Sequence, residues 1–351
     1  MKNKRITYLG FNSFANHKRG VENVIEFQRL ASPSRINYYL YWDNQTKVTH
    51  YDKLVCVGIK KNTFWFISLN VILYKIKFKN QYLFIHSHNA LMSIMSLFKS
   101  NIFTVHDALY YYTNVSKHRF KNIFWLLEKL LYSRCNFVHF ISTYAQKMSL
   151  FKQATNFIII SNTSHFEICK NLKSNLNTNF HENYFKVFTV RSIEDRALIN
   201  LLIETATKLK DEKIQFLVAG KGPLLTYYDS IIKNLNLDNI SLLGYIPDIE
   251  LINYYRNCDV VLIPASYGEG FGLPIIEGYL FNKPVLASNV CAIPEVIISD
   301  NFLFENNVND MISKLLFVIK SKKMDYYNHY NQKFSNEIIL SKMNNLYQKL
   351  M

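Results

Sequence analysis

Short runs of apolar, β-branched and aromatic residues alternate with stretches of helical period along most of the chain. RITYLG (5–10), INYYLYW (36–42), KLVCV (53–57), YLFIHS (82–87), NIFTVH (101–106), NFVHFIS (136–142) and NFIII (156–160) predict the strands of a first half. Residues 170–183 are polar, Asn-rich and without period, and predict a linker. The alternation then resumes in YFKVFTV (184–190), KIQFLVAG (213–220), ISLLGY (240–245), DVVLIP (259–264) and PVLAS (284–288). Helical segments are expected between these strands at 197–210, 224–235 and 248–257. Nearly continuous apolar strands separated by helices predict parallel sheets covered on both faces. The expected fold class is therefore α/β, with two doubly wound, Rossmann-like domains facing each other across a cleft. The expected boundaries are 1–170 and 184–330, with a helix in 331–351 packing back toward the first domain. A length of 351 residues suits two domains.

In such sheets ligands collect at the carboxyl ends of strands, so candidate chemistry is sought there. YGEGFGLPIIEGYLF follows the strand DVVLIP. Gly268, Gly270 and Gly272 leave backbone amides uncovered before a helix, which suits an anion or a group rich in hydroxyls. Glu269 and Glu277 lie eight residues apart, one in the loop and one inside the helix, placed to accept from sugar hydroxyls. The glycines alone also suit a tight turn with a capping glutamate. Arg191 closes the strand FTV and Arg196 opens the following helix, an arrangement able to clamp a diphosphate. The same pair also suits a solvated face neutralised by Glu194 and Asp195. VAGKGPL places Gly222 in a strand–helix turn that suits a phosphate or no ligand at all. In the first half, HSHNA (86–90) and TVHDA (104–108) put histidines at strand ends. His106, followed by Asp107, is a candidate polar group at the cleft or a satisfied structural histidine. His86 and His88 lack the further ligands a metal needs. Gly20 opens a helix after a strand and loop, a second place for phosphate to approach.

Charge separates the two halves. Residues 1–170 hold 23 Lys+Arg against 7 Asp+Glu, whereas the remainder holds 18 against 19. An acidic partner is therefore expected on the first half. KHRFKNIFWLLEKLLYSR (117–134) reads as a basic amphipathic helix with Trp125, and KKNTFWFISLNVILYKIKFK (60–79) has the same character. Both suit an anionic membrane surface, and both also suit ordinary helices packed on a sheet. The longest apolar run is too short to span a bilayer. Five scattered cysteines without a C-x-x-C pair argue against a disulfide scaffold. No secretion signal is recognised at the N-terminus, so a cytoplasmic, peripheral location at the inner face of the membrane is expected. Nucleic acid is not expected as a partner, since stacking and groove-reading motifs are missing.

EGFGLPIIE, the R-x4-R element at Arg191 and Arg196, GKGP, LLGYIP and PVLASNVCAIPEV together resemble the retaining nucleotide-sugar glycosyltransferases of family 4, which have the GT-B fold. The resemblance is strongest over 184–305. It implies that Glu269 holds hydroxyls of the transferred sugar, supported by the amides of Gly270, Phe271 and Gly272. It implies that Glu277 binds the donor ribose, that Arg191 and Arg196 neutralise the diphosphate, and that Ile246 borders the base. His106 would face the reacting sugar, and Gly20 and Gly222 would lie near the phosphates. Four departures stand out: Val190 stands where a glycine usually precedes the first arginine, Arg196 replaces a usual lysine, Asn282 a usual glycine, and Cys291-Ala292 a usual Gly-Gly. An Asp-x-Asp metal triplet does not occur in the sequence. The expected reaction is metal-independent transfer from a nucleotide sugar, UDP before GDP, to a lipid-linked glycan of a bacterial surface polysaccharide. No cofactor is expected. A nucleotide-sugar epimerase or sugar-phosphate synthase of the same fold is the alternative.

Overall fold

The computed structural model describes residues 5–351 except 15–19, 107, 116–118, 120, 152–155, 173–178 and 323. Two units emerge, Met1–Thr163 with Asn336–Met351, and Ser164–Ser335. The first unit is built on β1 (Ile6–Leu9), β2 (Asn37–Asp43), β3 (Lys47–Tyr51), β4 (Leu54–Lys60), β5 (Phe84–Ser87), β6 (Ser100–Val105), β7 (Cys135–Phe140) and β8 (Phe157–Ile159). Their order is β3-β4-β2-β1-β5-β6-β7-β8, every pair parallel except β3 with β4. The exception is an edge hairpin that the sequence pattern does not announce. KVTHY is largely solvent-facing and offers little apolar signal.

The second unit carries β9 (Phe185–Val190), β10 (Ile214–Ala219), β11 (Ile240–Gly244), β12 (Val260–Ile263), β13 (Val285–Ser288) and β14 (Leu303–Phe304). All its pairs are parallel, in the order β11-β10-β9-β12-β13-β14. Strand order therefore reverses between β9 and β12. A crevice at the carboxyl ends of such strands is where doubly wound sheets take their ligands. The runs are apolar because both faces are covered. Val187, Phe188, Val260 to Ile263 and Val285 to Ala287 are all buried, and each large aliphatic contributes about 1.5–3 kcal/mol on burial.

The division falls earlier than the expected boundary at 170. Phe166 is fully buried and lies edge-on to Tyr255, and Glu167 accepts a hydrogen bond of 2.8 Å from Tyr330. Both contacts tie the stretch after Thr163 to the second unit. Most of the core of the expected linker, 173–178, lies outside the described residues. The C-terminal helix Asn336–Leu350 contributes Ile339, Met343, Leu346 and Tyr347 to the first unit's core, beside Tyr8, Tyr39 and Phe84. All five cysteines are free. No helix among the described residues is long and apolar enough to cross a membrane.

Candidate active site

In the second unit the site forms where strand order reverses. Thr189 donates to the Leu262 carbonyl (2.8 Å) and locks β9 to β12 near their carboxyl ends. Arg191 leaves β9 there, and the glycine loop leaves β12. Arg191 Nη2 donates to Glu269 Oε2 at 2.9 Å, with the arginine side chain 7% and the glutamate 16% exposed. The two charges thus hold each other in a setting of low water content, where pairing is strong and separation costly. Arg191 Nε is buried without a hydrogen-bond partner, an unspent donor at the mouth of the crossover.

Arg196 bridges two loops. Its Nη1 donates to the Gly268 carbonyl (2.6 Å) and its Nε to Glu194 (3.3 Å), while Ser266 donates its amide to the Arg196 carbonyl (3.0 Å). The side chain staples the loop after β9 to the loop after β12. Gly268 adopts φ +67° and Gly272 φ +91°, backbone conformations that favour glycine. Gly272 caps the helix Leu273–Leu280, with Pro274 in its first turn. Pro274 brings no N–H and the Ile275 amide donates to the Gly272 carbonyl (2.9 Å), so what this helix start offers is chiefly the positive end of its dipole. Phe271 turns its ring into the core against Phe334, so only its backbone is offered to a ligand. Gly270 sits between them, partly exposed.

Glu277 lies one turn into the same helix and is almost wholly buried. Tyr255 donates its hydroxyl to Oε2 at 2.6 Å, and His165 Nδ1 stands 4.0 Å from Oε1. His165 also reaches Asp248 through Nε2 (3.0 Å). Burial pushes the Glu277 carboxyl up from its usual range, and His165 and the Tyr255 hydroxyl partly oppose that shift. Sequence reasoning missed Tyr255 and His165. His165 stands six residues past the end of β8, in the short turn His165–Ile168, where no local pattern marks it.

The glycines of GKGP answer to the chain itself. A Cβ on Gly222 would lie 2.1 Å from the Ile193 carbonyl oxygen, and one on Gly220 only 1.7 Å from that of Arg191. The turn after β10 therefore packs directly on the backbone that carries Arg191. Ile246 lies half-buried in the loop after β11, beside Tyr245, whose ring sits 4.8 Å from Lys221 Nζ. In the first unit, Gly20 begins the helix Gly20–Gln28 and is exposed, while the residues before it lie outside the described set. His106 follows β6 and is partly exposed; burial and the neighbouring His139 hold it down to about 3. Asp107 lies outside the described residues. Among the described residues no group of three or more His, Cys, Asp or Glu is placed to hold a metal ion.

Residues 173–334 match the family model of glycosyl transferases group 1. A poly(ribitol-phosphate) alpha-N-acetylglucosaminyltransferase of Staphylococcus aureus is 31% identical over 162 residues, which is 42% of this chain and 32% of that protein. The chain spans less than half the length of the curated relatives it matches. Two solved structures extend the likeness to nearly every residue. A sucrose-phosphate synthase from Thermosynechococcus elongatus superposes with a TM-score of 0.81, covering 99% of each chain at 16% identity. Anabaena HepE, in complex with UDP and glucose, gives 0.74 at 15% identity, covering 99% of this chain and 100% of its own. The two parallel-sheet units are thus those of the GT-B fold.

Proposed function

We propose that the chain is a retaining, metal-independent glycosyltransferase of the family 4 type. In this reading it moves a hexose or amino-hexose from a nucleoside diphosphate sugar, UDP before GDP, to a lipid-linked glycan of a bacterial surface polysaccharide. The observation that carries it is the Arg191–Glu269 pair at the crossover of β9 and β12. A fixed cation for the leaving diphosphate and a carboxylate for sugar hydroxyls meet there, beside a helix N-terminus. Departure of the diphosphate is the largest electrostatic demand of glycosyl transfer, and in this reading Arg191 with the positive end of the helix supplies that stabilisation. Arg196 acts in this reading by holding the loop in place as well as by its charge. Glu277, oriented by Tyr255, receives the ribose hydroxyls. Ile246 borders the base, Gly222 and Gly20 flank the phosphates, and His106 faces the sugar. The match to group 1 glycosyl transferases over 173–334 supports the glycosyltransferase reading of the second unit.

The acceptor side is supported by the surface of the first unit. Phe64, Ile67, Val71, Tyr74 and Phe78 are all exposed at helical spacing along and just before Trp65–Asn80, opposite the buried Leu69, Leu73 and Ile76. Ile123, Leu126 and Leu130 form a second exposed stripe on Lys121–Ser133. Lys75, Lys77 and Lys79 lie on the first of these helices, Lys121 and Lys129 on the second, and Lys60 and Lys61 shortly before the first. Apolar area edged by cations suits an anionic lipid surface, for which an enzyme releasing a soluble product has no use.

Thermal-shift measurements with UDP-, GDP-, ADP- and dTDP-sugars test the donor, because specific binding raises stability by mass action. One class is expected to stabilise the protein and to support transfer in excess chelator. Stabilisation by none, or activity that vanishes with chelator and returns with magnesium, contradicts the proposal.

A further inference from the structure

Buried and part-buried imidazoles of the first unit form two hydrogen-bonded groups, and the direction of each bond assigns their protons. His139 Nε2 lies 2.9 Å from the Ile160 carbonyl, which only accepts, so that nitrogen carries the proton. His139 Nδ1 then accepts from the Thr104 hydroxyl at 2.9 Å. Thr104 in turn accepts from His86 Nε2 at 2.7 Å. Burial holds His86 well below its usual range and His139 down to about 4, so both rings are neutral at neutral pH. His86 Nδ1 must therefore accept from the Tyr347 hydroxyl (2.8 Å), whose oxygen lies 3.2 Å from the Tyr8 hydroxyl. Both nitrogens of His86 are used, and this row has nothing to give its neighbour.

That neighbour is His88. Its ring centroid lies 4.6 Å from that of His86, and the residue is 3% exposed. Its Nδ1 stands 2.9 Å from His106 Nε2, while its own Nε2 is buried without a partner. One of the two rings must donate across that bond. If His106 donated, His88 would carry its proton on Nε2 and bury a bare N–H. Orphaned buried N–H groups are rarer than unserved acceptors. We infer that His88 is a positioning residue: it donates Nδ1–H to His106 Nε2 and so fixes His106 as the tautomer that presents Nδ1–H. His106 then offers a hydrogen-bond donor to an oxygen of the substrate and is not poised as a base. This step rests on the reading of His106 as the residue that faces the sugar; the proton assignment itself does not.

Long-range nitrogen–carbon-bound-proton correlation spectra of protein labelled with 15N-histidine read the tautomers directly. His106 is assigned by the signals that disappear in His106→Gln. At neutral pH the expected result is His106 protonated on Nδ1 and bare on Nε2; a protonated Nε2 overturns the inference in the unmodified protein, whatever its activity. His88→Asn keeps a donor near the position of Nδ1, and His88→Ala removes it. The alanine variant is expected to give averaged His106 signals and a kcat lowered about tenfold, the size of one hydrogen bond to a reacting group, with the donor KM unchanged. The asparagine variant is expected to keep the wild-type tautomer and a kcat within about threefold. A single Nδ1–H tautomer and full kcat in His88→Ala overturn the positioning role. If transfer is absent from every form, the spectra still decide the proton assignment, and it is the functional reading that fails.

Discussion

Arg191 and Glu269 lie 78 positions apart in sequence and 2.9 Å apart in space. Each is readable from its own motif as a cation or a carboxylate at a strand end. Their pairing is not, because it depends on β9 and β12 being neighbours, a tertiary fact that local pattern does not carry. Removing the carboxylate leaves a largely buried guanidinium short of one acceptor. Glu269→Ala is therefore expected to cost roughly 1–3 kcal/mol, seen as a lower urea midpoint at unchanged m-value. The Gly220 position is a sharper case. Its φ of +147° and the 1.7 Å approach of a Cβ to the Arg191 carbonyl predict that Gly220→Ala loses at least roughly 1–3 kcal/mol. Because the strain falls on the backbone of Arg191, donor affinity is expected to fall with stability. Unchanged nucleotide binding in a folded Gly220→Ala protein would show that the turn does not set the arginine's position. Two departures from the pattern that the sequence resembles have a backbone correlate at this scale. Asn282 and Cys291 both adopt φ +55°, so the backbone still takes the conformation that the usual glycines favour. Asparagine tolerates it and serves Tyr327 with its side chain, whereas cysteine gains no such bond there among the described residues.

At the scale of elements, apolar runs predicted all but two of the strands. β3 is polar and exposed, and β14 has only two residues, so neither offers a period to read. The segment 60–79 shows why composition alone stopped short. Its helix has apolar residues on opposite faces, Leu69, Leu73 and Ile76 inward, Ile67, Val71 and Tyr74 outward. Averaging around the helix hides the second stripe. Replacing Ile67 and Phe78 with serine touches no core contact and is expected to leave the melting temperature within about 2 °C, since surface substitutions usually change stability by less than 0.5 kcal/mol. The same double variant is expected to float less with anionic vesicles, and wild-type flotation is expected to weaken with salt. Equal flotation of both proteins, or indifference to lipid charge, would remove the membrane from the proposal.

For the whole molecule, the histidines of the first unit set a pH dependence. His86 and His88 are held well below their usual value, His106 at about 3 and His139 at about 4, in each case chiefly by burial. An unfolded chain takes up protons on these rings near pH 6.5. The folded chain refuses them until far lower pH, so the unfolded state binds more protons across that window and stability must fall as pH falls. The loss is expected to begin below about pH 6.5 and to continue toward about pH 4, with about 1.4 kcal/mol per pH unit for each ring that stays neutral. Urea unfolding of His139→Gln should show a shallower slope over the same window; an identical slope would mean that His139 titrates normally in the folded protein.

The account as a whole turns on the β9–β12 crossover binding a nucleoside diphosphate through Arg191. Titration calorimetry of the nucleotide selected by thermal shift, against wild-type protein and Arg191→Ala, measures this directly. Losing charge-assisted hydrogen bonds worth roughly 1.5–3 kcal/mol predicts a Kd weakened about 10- to 150-fold in the variant. Equal affinity in both proteins, with the variant folded, would place the diphosphate elsewhere and contradict the account.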